Sequence, residues 1–235
     1  MQIEAFDPHE PFFSPEKYKR LYPHEIRGKH FDWPGYGRVS ETPEEVKHCR
    51  LEYAALLSMC DEYLGKLLDA MDEHDLWKDT MLIVTADHGF LLGEHEWWAK
   101  NVMPFYNEIA RIPMFAWDPR SGARGERRSG LVQLADLAPT LLEYFGVDIP
   151  DRMLGMPLRD AIASDAPVHE SVLFGLHGAH VNVTDGRYVY MRAPDRPDNA
   201  PHYEYTLMPC HMADMFSVEE LQEIRLAEPF PFTRG

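Results

Sequence analysis

The residues best suited to chemistry in this 235-residue chain are Asp87-His88-Gly89, Lys100 and His9. Asp87 and His88 follow directly on the apolar run MLIVT at 81–85. An aspartate offers a hard oxygen and a histidine a ring nitrogen, a pair suited to a divalent cation such as Mn²⁺, Zn²⁺ or Ca²⁺. Gly89 lets the backbone turn sharply behind them. The plainer alternative is that Asp87 caps the next segment and His88 is a satisfied turn residue. Lys100 stands behind Glu94-His95-Glu96-Trp97-Trp98. A lysine bounded by aromatics can be held rigidly near an anionic group, although read alone it is a surface lysine beside two core tryptophans. His9 lies between Asp7-Pro8 and Glu10-Pro11, whose prolines limit backbone freedom and suit a pre-placed acid or hydrogen-bond donor. His177, His180 and His211 read as loop or core residues, and 124–128 as a solvated basic loop.

Such side chains need elements to hold them. Residues 3–6 read as a short strand closed by Asp7-Pro8. Residues 11–40 carry four prolines and many aromatics without a sustained period, which reads as a long loop of the functional or disordered kind. Thr42-Pro43-Glu44-Glu45 is a capping box with proline at the first helical position. Apolar residues then recur at three and four residues from Val46 to Met71, which predicts one long amphipathic helix ending near His74. Residues 81–85 read as a strand buried on both faces, 104–110 as a short helix, 113–117 as a second buried strand and 131–145 as a helix closed by Gly146. The alternation of strand and helix argues for α/β architecture: a mostly parallel sheet flanked by helices. In such a sheet ligands bind beyond the carboxyl ends of the strands, where Asp87-His88 lies. Short strands at 172–176, 181–184 and 188–191, with the hairpin signal Asp185-Gly186, predict a small antiparallel subdomain over 159–235, after a catalytic part over 1–158.

Acidic residues outnumber basic ones 39 to 23, for a net charge of −16, which argues against a nucleic-acid partner. A bound cation can still dominate the local field and admit a small anion. No run approaches the ~18 apolar residues of a membrane span, and the first residues lack a signal-peptide pattern. Cys49, Cys60 and Cys210 form no metal or disulfide motif, and the first two read as buried free thiols. Neither redox compartment nor localisation follows.

Four stretches together carry a resemblance: AFDPHEPF, YAALLSMCDEYLGKLLD, MLIVTADHGFLLGEHEWWAKNVMPFYNEIARIPMF and LVQLADLAPTLLEYFGVDIP. Over residues 3–158 the chain resembles the sulfatase family of the alkaline-phosphatase superfamily. That resemblance implies an alkaline-phosphatase-like fold and hydrolysis of a small anionic sulfate ester with one divalent metal ion, Ca²⁺ or Mn²⁺. It further implies that Asp87 binds the metal and His88 fills the neighbouring ligand position. Lys100 matches the lysine that contacts the sulfate oxygens, and His9 the histidine that contacts the sulfate or leaving-group oxygen. Histidine at position 88 is commoner in phosphonate monoester and phosphodiester hydrolases of the same superfamily, which keeps that chemistry as the alternative.

The family's nucleophile is a formylglycine made within a C/S-x-P/A-x-R motif. None of Cys49-Arg50-Leu51, Cys60-Asp61-Glu62 or Cys210-His211-Met212 fits it, nor does any serine. The paired-aspartate strand that completes the metal shell is also missing. The expectation is therefore a partial sulfatase-type domain, inactive alone. Either it is catalytic within a complete version, or it is a non-catalytic fragment that needs a partner. An unpaired sheet edge would make the chain marginally stable and prone to self-association.

Overall fold

The computed structural model describes residues 1–25, 28–102, 104–176, 179–196 and 215–223. The chain forms two compact units, Met1–Ala193 and Pro194–Gly235, so the change of pattern expected near residue 158 lies inside the first.

The longest element is α2, Pro43–Glu73, which follows α1, Glu16–Lys19, and the two-residue strand β1, Gly37–Arg38. Its start is the expected capping box: Thr42 Oγ1 accepts from Glu45 N–H, and Glu45 returns a bond to Thr42 N–H. Cys49 and Leu56, two turns apart on its buried stripe, are fully enclosed. They pack with Phe12, Trp98 and Ala99 as the main core. Burial pushes the Cys49 thiol up to about 12, as for a thiol used as an apolar filler. The 11–40 segment is a loop, as its composition suggested, broken among the described residues only by α1 and β1, but it is packed down. Phe12 is 0% and Tyr18 4% exposed, and Lys17, Lys19 and Tyr22 reach Glu62, Glu52 and Ser58 on α2. Aromatics without a period can still be core when they fill the groove beside a long helix.

After α2 comes β2, Leu82–Thr85, and then an antiparallel ribbon of β3, Leu91–Leu92, and β4, Trp97–Ala99. β4 also pairs with β1, giving the order β1-β4-β3. The alternation of side chains along β4 sends Trp98 into the core, where its indole donates to Glu41, and sets Trp97 under the Arg38 guanidinium. The one-turn helix α3, Asn107–Ala110, leads into β5, Met114–Trp117, which pairs with β2 from Leu82↔Trp117 to Thr85↔Met114.

Here the structure corrects the strand polarity. Every pairing among the described residues is antiparallel, not mostly parallel. A parallel return needs a crossover on one face of the sheet. The path from β2 to β5 is instead a ribbon and a single helical turn, while the long helix stands before β2. β2 and β5 are half-buried rather than enclosed on both faces, with Phe115 67% exposed. Residues 3–6 form no strand: no described segment offers them a ladder, and Ile3 and Phe6 are exposed.

A tight turn at Leu134–Asp136 leads into α4, Leu137–Tyr144, and Gly146 at φ +66° closes it. The predicted helix is shortened at its start because Leu131 bridges His169 in extended form. Asp136, fully buried, accepts from Gln133 N–H, Met156 N–H and His169 Nε2. Arg128 donates to Ile162 O and Ala163 O at the end of α5, Arg159–Ser164, so it is a helix cap and not a solvated charge. β6, Val172–Gly175, β7, Val181–Thr184, and β8, Val189–Arg192, form the antiparallel meander expected from the hairpin signal. In the second unit the described α6, Val218–Glu223, starts on a reciprocal Ser217–Glu220 cap.

Candidate functional site

β4 ends on Ala99, a fully buried residue at φ +76°. A side chain in the left-handed region is uncommon, and here it turns the chain so that Lys100 leaves the ribbon toward the 7–11 segment. Lys100 Nζ lies 2.8 Å from His9 Nε2, with its side chain only 12% exposed. It is therefore not the surface lysine that its local sequence suggests. His9 Nδ1 lies 2.7 Å from the Glu10 carbonyl, an acceptor only. That contact takes the neutral ring's single proton, so Nε2 is the lone pair to which the Lys100 ammonium donates.

Glu10 is the buried charge that balances the lysine. One of its oxygens accepts from the Tyr36 hydroxyl, and the other lies 3.4 Å from His9 Nδ1 and 3.6 Å from Lys100 Nζ. Burial first, and then the bond to Glu10, push the Tyr36 phenol well above its ordinary value, so it stays a donor. The Phe90 ring lies 5.8 Å from Lys100 Nζ and packs edge-on to Phe12, which gives the ammonium an apolar floor. A lysine held this way keeps a free N–H direction for an anion's oxygen.

Asp87 and His88 stand at the carboxyl end of β2, two residues before Phe90. His88 Nδ1 lies 2.9 Å from Gly89 O, which leaves the Nε2 lone pair 3.2 Å from Asp87 Oδ2. An oxygen and a nitrogen at that separation suit two neighbouring ligand positions of one divalent ion, whose bonds are ~2.0–2.2 Å for zinc. The Asp87 side chain is 82% exposed, so the pair opens outward. These two donors fit a metal but do not enclose one.

Gly89 is required by space. A Cβ there would stand 1.9 Å from Glu108 O, on the backbone of α3. The Gly89 N–H donates to Ile109 O at 2.8 Å, so α3 grips the turn that carries the two donors. Glu10 and Tyr36 escaped the sequence reading. Glu10 had a signal, since it lies between His9 and Pro11; Tyr36 had none, because its role depends on a loop path. The His180 backbone carbonyl stands where a Cβ on Gly175 would lie; His177, His211 and Cys210 lie outside the described residues.

The chain belongs to the sulfatase family: the model of that family matches residues 6–147. A second model, of the N-sulphoglucosamine sulphohydrolase C-terminal region, matches residues 93–227. An arylsulfatase of Clostridium perfringens is 25% identical over 197 residues, 75% of this chain and 40% of the relative. An N-acetylglucosamine-6-O-sulfatase of Bacteroides thetaiotaomicron is 32% identical over 114 residues, 48% of this chain and 20% of the relative. The phosphonate monoester hydrolase of Agrobacterium radiobacter superposes with a TM-score of 0.65 at 20% identity, covering 80% of this chain and 47% of that one. That last likeness shows the alkaline-phosphatase-type fold. The chain thus spans less than half the length of these relatives.

Proposed function

We propose that this chain carries the substrate-oxygen contacts and two metal ligands of a sulfate-ester hydrolase. The observation that supports it most is the Lys100–His9 contact, a shielded ammonium on an imidazole, in a chain of the sulfatase family. Lys100 binds and neutralises a non-bridging sulfate oxygen, and its bond to His9 orients the imidazole. With Lys100 turned to the sulfate oxygen and still charged, His9 takes a proton from solvent at Nε2 and donates it to the leaving oxygen, where negative charge develops as the ester bond breaks. Glu10, held by Tyr36, keeps both groups in place and balances their charge. Asp87 and His88 would hold a divalent ion, which supplies polarisation of the ester oxygens when bound.

The relatives named for aryl sulfates and for a sulfated amino sugar support a sulfate monoester over other substrates. His88 in the ligand pair supports the second reading, hydrolysis of a phosphonate monoester or phosphate diester by the same groups.

The test uses a complete version that includes the C/S-x-P/A-x-R motif absent from these residues. Lys100→Ala should cut aryl-sulfate turnover by ~10²–10³ while metal affinity holds, and Asp87→Asn should weaken metal binding by calorimetry. The 235-residue chain alone should give no turnover above buffer with Ca²⁺, Mg²⁺ or Mn²⁺. Equal loss of metal in both variants would overturn the division of roles. A complete enzyme faster on phenyl phosphonates than on aryl sulfates would transfer the site to the second reading.

A further inference from the structure

A second cluster of ligands lies where the 20–40 segment crosses α2. His48 and Glu52, one turn apart on α2, are both 3% exposed. His24 Nε2 lies 2.6 Å from His48 Nδ1, and His30 Nδ1 lies 2.9 Å from His48 Nε2. The row continues outward at both ends: His24 Nδ1 is 2.8 Å from Tyr22 O, and His30 Nε2 is 3.1 Å from Asp32 Oδ2.

Counting protons along this row exposes a deficit. Both end groups only accept, and three neutral imidazoles supply one N–H each. The four contacts therefore have three protons among them. If His24 donates outward to Tyr22 O, His48 to His30 and His30 to Asp32, two lone pairs face each other between His24 Nε2 and His48 Nδ1. Glu52 Oε1 stands beside that same gap, 4.0 Å from His48 Nδ1, while Lys19 holds its Oε2 at 2.5 Å. One ligand atom from each of His24, His48 and Glu52 lies within 4.8 Å of the others.

We infer that His24, His48 and Glu52 form a binding site for a zinc-class divalent ion, separate from the Asp87–His88 pair. An extra proton in the gap would use two of these atoms; a metal ion uses all three, with the His24 and His48 nitrogens parting from 2.6 Å to the ~3.3 Å that tetrahedral zinc bonds of ~2.0–2.1 Å set. Two imidazoles and a carboxylate are a borderline donor set that favours Zn²⁺ over Ca²⁺. The outer contacts have the form usual around a metal-bound histidine, whose distal N–H donates to a fixed acceptor: His24 to Tyr22 O, and His48 to His30 backed by Asp32. The ion would clasp the 20–40 segment to α2. Tyr36, which supports Glu10, lies on that segment, so the clasp would steady the Lys100–His9 pair without touching substrate.

The purified full chain, stripped with chelator and dialysed, is titrated with Zn²⁺ alone and then with Co²⁺ for its ligand-field bands. Wild type should bind one Zn²⁺ at this site and melt at higher temperature with it, because the ion binds only the folded state. His24→Ala and Glu52→Gln, each checked for native circular dichroism, should lose Zn²⁺ affinity by at least ~10-fold. Asp87→Asn should keep it. The inference is overturned if wild type binds no Zn²⁺, if both variants retain wild-type affinity, or if the ion is lost in Asp87→Asn instead.

Discussion

Replacing Gly89 by alanine tests how the turn bearing Asp87 and His88 is held. The backbone at Gly89 is not in the left-handed region, so the effect is one of space alone. The new Cβ would meet Glu108 O at 1.9 Å, Glu108 C at 2.9 Å and Ile109 Cα at 3.1 Å. All three are backbone atoms of α3, which cannot step aside as a side-chain end would. Overpacking of this kind costs about 1–3 kcal/mol, and the separation needed breaks the Gly89–Ile109 hydrogen bond for about 1 kcal/mol more. We expect a total near 3 kcal/mol, which for a urea slope of about 2 kcal/mol/M lowers the midpoint by roughly 1.5 M. Gly65→Ala is the matched control. That glycine sits inside α2 with nothing within 4 Å of its would-be Cβ, so alanine should stabilise by ~0.5–1 kcal/mol. Urea unfolding followed by circular dichroism reads both variants. If Gly89→Ala unfolds at or above the wild-type midpoint, the turn is not clamped against α3 and the argument fails.

Two further outcomes can be checked on the same chain. Burial raises the Asp118 carboxyl, but the Arg120 guanidinium outweighs this and leaves it below its ordinary value. A depressed folded pKa contributes stability above the unfolded value of ~3.9 and loses it as pH falls through the folded value, so Asp118→Asn should flatten the stability profile below about pH 4 and cost ~2 kcal/mol at pH 7; an unchanged acid limb would show that the pair does not carry it. Ile3, Phe6 and Phe115, 63–70% exposed, should drive self-association of the isolated chain, and sedimentation showing a monomer at all concentrations, without apolar dye binding, would refute this.

Some of this protein is determined by local sequence. α2 follows from a capping box and a 3.6-residue stripe, both interactions within a few residues, and it spans Pro43–Glu73 as its pattern requires. The β6–β8 meander follows likewise from short apolar runs and an Asp-Gly turn, and the DHG and WWAK blocks single out Asp87, His88 and Lys100 as candidates. What only the tertiary structure decided depends on contacts distant in the chain. Periodicity marks β2 and β5 as strands but carries no direction, and the path between them makes the pair antiparallel. Residues 3–6 have a strand's composition but no ladder partner among the described residues, and Phe12 and Tyr18 lack a period yet are core because α2 lies beside them. Lys100 looks exposed until the left-handed Ala99 and the 91-residue separation to His9 are closed by folding. His24, His30 and His48 are unremarkable in sequence apart from the one-turn spacing of His48 and Glu52. Their meeting is a property of a loop crossing a helix, and only the packed chain holds it.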